Sequence, residues 1–226
     1  MKFIENNPKM FINNEFIKEL TFNPKGFDFF LDQIMLTDDS KEQVRIILAE
    51  TEHLPAALGN YHGCYKGGLH DHILLVANLV SQILTNNEFL KPYITWLKEN
   101  NLMTSHRYDE INKSKAILTA IYHDFGKVPY YAFRLQIPNR VIITKRTERE
   151  DVTLEIHEKF HYKGRDPHVD RCIAVLKRYN LPFDEDIYQA IIFHHGVWAK
   201  YTPFEPTTLS HLIHVADMIA SQFYKI

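Results

Sequence analysis

The chain has little of the material from which secreted scaffolds and membrane proteins are built. Only two cysteines, Cys64 and Cys172, stand among its 226 residues, so one bridge is the most it could form. No stretch reaches the roughly 18 uninterrupted apolar residues of a membrane span. The opening MKFIENNPKMFINN is broken by Glu5, Asn6, Asn7 and Pro8 before any leader-like apolar core can form. An excess of one charge is missing too: 26 Lys plus Arg face 28 Asp plus Glu, a net charge of -2. That balance excludes the global field of a chromatin-type or polybasic membrane binder and leaves only local basic patches. Internal repeats and low-complexity tracts are absent. These absences point to a soluble, unsecreted protein of a reducing cytoplasm with no membrane partner. What is present, 45% hydrophobic and 24% charged residues, is enough for a buried core. The length suits one large domain or a domain carrying an insertion.

The patterning is helical. After the Asn23-Pro24 break, Phe27, Phe29, Phe30, Leu31, Ile34, Met35 and Leu36 read as short helical packing elements. Ser40 with Gln43 reads as a capping box opening a helix towards His53. GNYHGCYKGG, residues 59 to 68, holds four of the eight glycines and suits a loop whose backbone approaches something closely. In LHDHILLVANLVSQIL, the residues His72, Val76, Leu79 and Ile83 form an inward stripe, with Asp71, Asn78 and Gln82 on the solvated side. A helix is expected over 88 to 100. Another runs from about Tyr108 into His123-Asp124, where Gly126 would stop it. Residues 129 to 165 break the pattern: VIITK and DVTLEIH are β-branched and flank a charged turn, which reads as an inserted β-hairpin. Asp166-Pro167 opens a further helix to about Asn180. Helices follow over 184 to 195 and 207 to 224. The expected fold class is therefore all-α, a helical bundle with an inserted β-hairpin. Residues 1–44 form an N-terminal extension packed on a domain spanning 45–226.

Histidine is the unusual component, with 13 residues. Adjacency proves little, because chance alone gives nearly one His-Asp and one His-His pair in a chain of this composition. Position carries the argument. His72, His123-Asp124, His168, His194-His195 and Asp217 fall on inward helix faces or at helix ends. Buried carboxylates and imidazoles must pair with one another or with a metal. Imidazole and carboxylate donors suit Zn, Fe, Mn, Ni or Co. Seven such side chains exceed one ion's needs and fit two ions, with Asp124 as the natural bridge.

GGLHDHILLV at 67–76, IYHDFGK at 121–127, FHHG at 193–196 and HVADMIAS at 214–221 resemble the HD-domain metal-dependent phosphohydrolase superfamily over about residues 45–222. The Gly-Gly-Leu opening is similar to the 3′-to-5′ exoribonuclease and relaxase branches. The ligand set resembles the dinuclear branch that contains cyclic-dinucleotide phosphodiesterases. The resemblance implies His72, His123, Asp124 and Asp217 at a first metal, with Asp124 bridging to a second held by His168, His194 and His195. It selects His72 over His70, and His168 over His157 and His161. The glycine-tyrosine-proline signature of the cyclic-di-GMP branch is absent after His195, and no nucleic-acid-binding barrel precedes the domain.

The implied chemistry is attack on phosphorus by a water deprotonated between two divalent ions, Fe or Mn ahead of Ni, Co, Zn or Mg. The substrate would be a phosphate-ester small molecule or single-stranded nucleic acid. Lys127 either reaches a phosphate oxygen or the bridging carboxylate, or complements a helix C-terminus. His62 and Lys66 on the glycine-rich loop are candidates for phosphate contact or leaving-group protonation. The basic residues Arg134, Arg140, Lys145, Arg146 and Arg149 would favour a polyanion at the cleft mouth, partly cancelled by Glu148, Glu150 and Asp151. Competing readings are a mononuclear nucleotide phosphatase, a diiron oxygenase of the same superfamily and a metal-free scaffold.

Overall fold

The computed structural model describes residues 24–57, 61–85, 99, 111–135, 167–196 and 206–226. Its elements are α1 (Phe27–Gln33), α2 (Asp38–Thr51), α3 (Gly68–Thr85), α4 (Lys113–Tyr122), α5 (Lys127–Leu135), α6 (Pro167–Arg178), α7 (Glu185–Phe193) and α8 (Thr208–Met218), which runs on into a π-helix, Ile219–Tyr224. No strand occurs among the described residues, so the fold is all-α. No helix of the described residues is long and apolar enough to cross a membrane. The hairpin expected within 141–157, the basic residues from Arg140 to Arg149, and His157 and His161 lie outside the described residues. So does the helix expected over 88–100, apart from Glu99, which is helical.

Short polar side chains start these helices by accepting from otherwise unpaired N–H groups. Thr37 accepts from the Ser40 amide at 3.2 Å ahead of α2, Asn112 from the Lys115 amide ahead of α4, Asp184 from Ile187 ahead of α7 and Thr207 from Ser210 ahead of α8. The capping box expected at Ser40 is thus displaced by three residues. Thr37 supplies the same hydroxyl chemistry earlier, and Asp38 and Asp39 complement the dipole of the first turn. Arg178 ends α6, Asn180 adopts φ 51°, and the Leu181 amide donates to the Leu176 carbonyl, which closes the helix end.

α4 is the central helix. Every residue from Ala116 to Tyr122 is buried, and it packs against α3, α7 and α8. It begins at Lys113, later than the Tyr108 expected from periodicity. α3 lays Leu69, His72, Ile73, Val76 and Val80 into the same core, with Leu84 packed against it one turn later; Ile83, expected on the inward stripe, is exposed. Asn78, expected on the solvated side, is buried. Its amide holds the main chain of Lys25 at both N–H and carbonyl, at 2.8 and 3.0 Å, which satisfies the polar group it buries. Phe30, Leu31 and Ile34 belong to the same core cluster as α3 and α4. Helix α5 covers 129–135, the first residues of the span assigned to the insertion.

Candidate metal centre

Helix ends and one inward helix face bring the polar residues together. His72 lies one turn into α3, His123 closes α4, and Asp124 follows in the turn before α5, whose first residue is Lys127. His168 is the second residue of α6, His194 closes α7 with His195 next, and Asp217 is near the end of α8. All except His195 are buried, and His195 is half-buried.

Asp124 stands at the middle with its two oxygens facing opposite ways. Oδ2 is 3.5 Å from His72 Nε2, 3.5 Å from His123 Nε2 and 2.7 Å from Lys127 Nζ. Oδ1 is 3.4 Å from His168 Nε2 and 3.7 Å from His194 Nε2, and has no hydrogen-bond partner. His72 Nε2 is also 3.4 Å from His123 Nε2 and 3.1 Å from Asp217 Oδ1. On the other side His168 Nε2 is 3.5 Å from His194 Nε2, and the His195 ring lies 4.1 Å from that of His194 and 5.0 Å from that of His168. Two groups, His72-His123-Asp124 and His168-His194-His195, each keep their donor atoms within 4.8 Å of one another.

Three of the histidines have their tautomer set by the main chain. Nδ1 of His72 donates to the Ile226 oxygen at 2.7 Å, that of His123 to the Ala120 carbonyl at 2.7 Å, and that of His194 to the Ile191 carbonyl. A carbonyl only accepts, so each Nδ1 carries the proton and each Nε2 turns a lone pair inward. Lone pairs and carboxylate oxygens then face each other with no hydrogen between them, an arrangement that calls for a cation. Protons on the rings are a poor answer at His123 and His194: burial pushes both below the ordinary imidazole value, and at His194 the neighbouring His195 adds to it. A metal ion is the better one. Donors bound at about 2.1 Å stand roughly 3.0 to 3.5 Å apart around one ion, close to the separations seen here.

Electrostatics keeps the carboxylates ionised for that role. Burial pushes Asp124 up, but Lys127, His123, His168 and His72 together hold it well below the usual carboxylate range. Burial likewise opposes ionisation at Asp217, yet its surroundings, His72 first and then His194 and His123, hold its carboxyl below the usual carboxylate range.

Two glycines allow the close approaches. A Cβ at Gly126 would fall 1.7 Å from the His168 carbonyl oxygen and 2.6 Å from the Cys172 nitrogen. Gly126 therefore does not stop α4, which ends at Tyr122. It lets the head of α6 press on the turn that carries Asp124. Gly196 turns the chain at φ +59°, and its missing side chain makes room for the His214 ring. His214 Nδ1 donates to the His194 carbonyl at 2.7 Å. Sequence reading did not single out His214 or the Ile226 oxygen. The three-residue spacing of His214 from Asp217 on one helix was the available signal for the former; a main-chain oxygen leaves none.

Of the other expected residues, Lys127 meets the carboxylate, as one of its readings had it. His62 is half-buried with its ring centre 4.9 Å from that of His72. Lys66 is exposed. His70 is outside the cluster, within 3.2 Å of Thr51 Oγ1 and edge-on to Phe27.

A helical bundle that focuses histidines and aspartates from five helices on one buried carboxylate defines a class, all-α proteins with a candidate metal centre. Within it, the family model for the HD domain matches residues 69–221. The chain belongs to the HD-domain superfamily of metal-dependent phosphohydrolases. No curated protein and no solved structure matches it.

Proposed function

We propose that the protein is a dinuclear-metal phosphodiesterase acting on a nucleotide or nucleic-acid phosphoester. The observation that carries this reading is the division of Asp124, one oxygen towards His72 and His123 and the other, unpartnered, towards His168 and His194. One carboxylate serving two donor groups is the arrangement a bridged pair of ions requires. His72, His123, Asp124 and Asp217 would hold the first ion, and Asp124, His168, His194 and His195 the second. When bound, the ions supply an activated water nucleophile and neutralise charge on the phosphoryl oxygens.

The chain's own part is orientation and charge. Main-chain acceptors fix three imidazoles, and Lys127 offsets the charge of Asp124. The donors are imidazole and carboxylate, while Cys172 is committed to the Tyr122 carbonyl, and this set favours Fe or Mn. Elemental analysis of protein purified without chelator should find about two ions per chain. Asp124→Ala should lose both, and His168→Ala mainly the second. Hydrolysis is to be measured on bis(p-nitrophenyl) phosphate, cyclic dinucleotides and short RNA and DNA, with O₂ uptake recorded alongside. At most one ion after reconstitution would favour a mononuclear nucleotide phosphatase, and O₂ consumption without hydrolysis would favour a diiron oxygenase.

A further inference from the structure

The metal centre leaves one histidine beside it unexplained. The Nε2 of His62 is buried and has no hydrogen-bond partner among the described residues, a costly state for a polar atom in the absence of a ligand. Its ring is tilted 38° over that of His72, and the charged or titratable groups it faces are Lys127, His72, Asp217 and Asp124. Yet it belongs to neither of the two groups whose donor atoms lie within 4.8 Å of one another. It stands beside the first donor group, its ring centre 4.9 Å from that of His72.

The placement is built into the loop. The residue after it, Gly63, is clamped from three sides. Its carbonyl accepts from the Ala56 amide at 2.9 Å, and its amide donates to the Lys225 carbonyl at 3.1 Å. A Cβ on Gly68 would fall 1.9 Å from its oxygen. Gly63 itself adopts φ +54°, and a side chain there would meet Ala56. These contacts fix the main chain beside His62 and so hold its ring tilted over that of His72.

We infer that His62 is a catalytic residue that touches the substrate, its Nε2–H donating to a non-bridging phosphoryl oxygen of the ester seated over the first donor group. The inference rests on the phosphoester reading. An imidazole N–H on an anionic oxygen is a charge-assisted hydrogen bond, and its loss weakens binding by about 10- to 100-fold.

The test uses the full chain loaded with Mn, with inorganic phosphate as the probe in calorimetry and bis(p-nitrophenyl) phosphate as the substrate. His62→Phe keeps a ring against His72 and removes both nitrogens; His62→Gln returns an N–H near the position of Nε2. The expected result is phosphate binding weakened about 10- to 100-fold in His62→Phe and largely restored in His62→Gln. KM should rise in parallel, with metal per chain and thermal stability unchanged. Phosphate affinity within about twofold of wild type in His62→Phe would overturn the inference, and so would loss of metal in either variant, which would make His62 a ligand. A wild-type protein that takes up metal but neither binds phosphate nor cleaves any ester would instead remove the phosphoester reading and this inference with it.

Discussion

At the scale of the residue, the buried charge of Asp124 is balanced by one permanent cation, Lys127, 2.7 Å away, with both side chains under 10% exposed. Removing one partner of a buried pair costs about 3 to 5 kcal/mol because the other is left uncompensated. The metal-free Lys127→Met protein should therefore lose about 3 kcal/mol in urea unfolding, and saturation with Mn should recover most of it. An equal loss in both forms would show that Lys127 stabilises by packing alone. The clustering of these residues was legible in the sequence because each is a polar residue at an inward or helix-ending position, where burial demands a partner. Asn78 was misread because its partner is the main chain of Lys25, distant in sequence and without a residue signature. The same holds for the oxygen that orients His72.

At the scale of the element, the head of α6 carries His168 only as close to Asp124 as Gly126 allows. Gly126→Ala should push α6 outward, lowering stability by about 1 to 3 kcal/mol. Metal at the second group should fall while the first is retained, and elemental analysis with urea unfolding reads both. Retention of all metal would mean that the helix yields without moving His168. The N-terminus of α7 offers a pH-dependent case. Burial opposes ionisation of Asp184, but hydrogen bonds from Lys115 and the Ile187 amide hold its carboxyl below the usual value. A lowered folded pKa adds stability that is present above the unfolded value, near 4, and lost as pH falls through the folded one. Asp184→Ala should cost about 1 kcal/mol at pH 7, chiefly through the cap, since the ion pair with Lys115 is exposed. The difference from wild type should shrink as pH falls below about 4. A constant difference down to pH 2 would assign the effect to side-chain packing. The helices themselves were legible from periodicity, as were the starts of α6, α7 and α8, but those of α2 and α4 were not: threonine, serine and asparagine offer the same capping chemistry several times within a few residues, and packing decides among them.

At the scale of the whole molecule, the residues proposed as ligands come from α3, α6, α7, α8 and the turn after α4, so a bound ion would tie together elements far apart in the chain. Such a ligand binds the folded state alone and stabilises it by about 2.7 kcal/mol at a free concentration 100 times Kd. For a chain of this size that corresponds to a rise in Tm of roughly 5 to 10 °C on loading one site. Differential scanning calorimetry with and without chelator measures it; an unchanged Tm would mean that the donors are already satisfied without metal. Orientation of the ligands depends on backbone oxygens at Ala120, Ile191 and Ile226, which every residue type provides. Side chains at those positions can therefore be replaced, subject only to packing, without turning an imidazole away from the centre. The neighbours of the ligands are free to drift while the ligands stay aligned, so a lineage can shed nearly all overall likeness to its relatives and still keep its four short histidine and aspartate motifs readable.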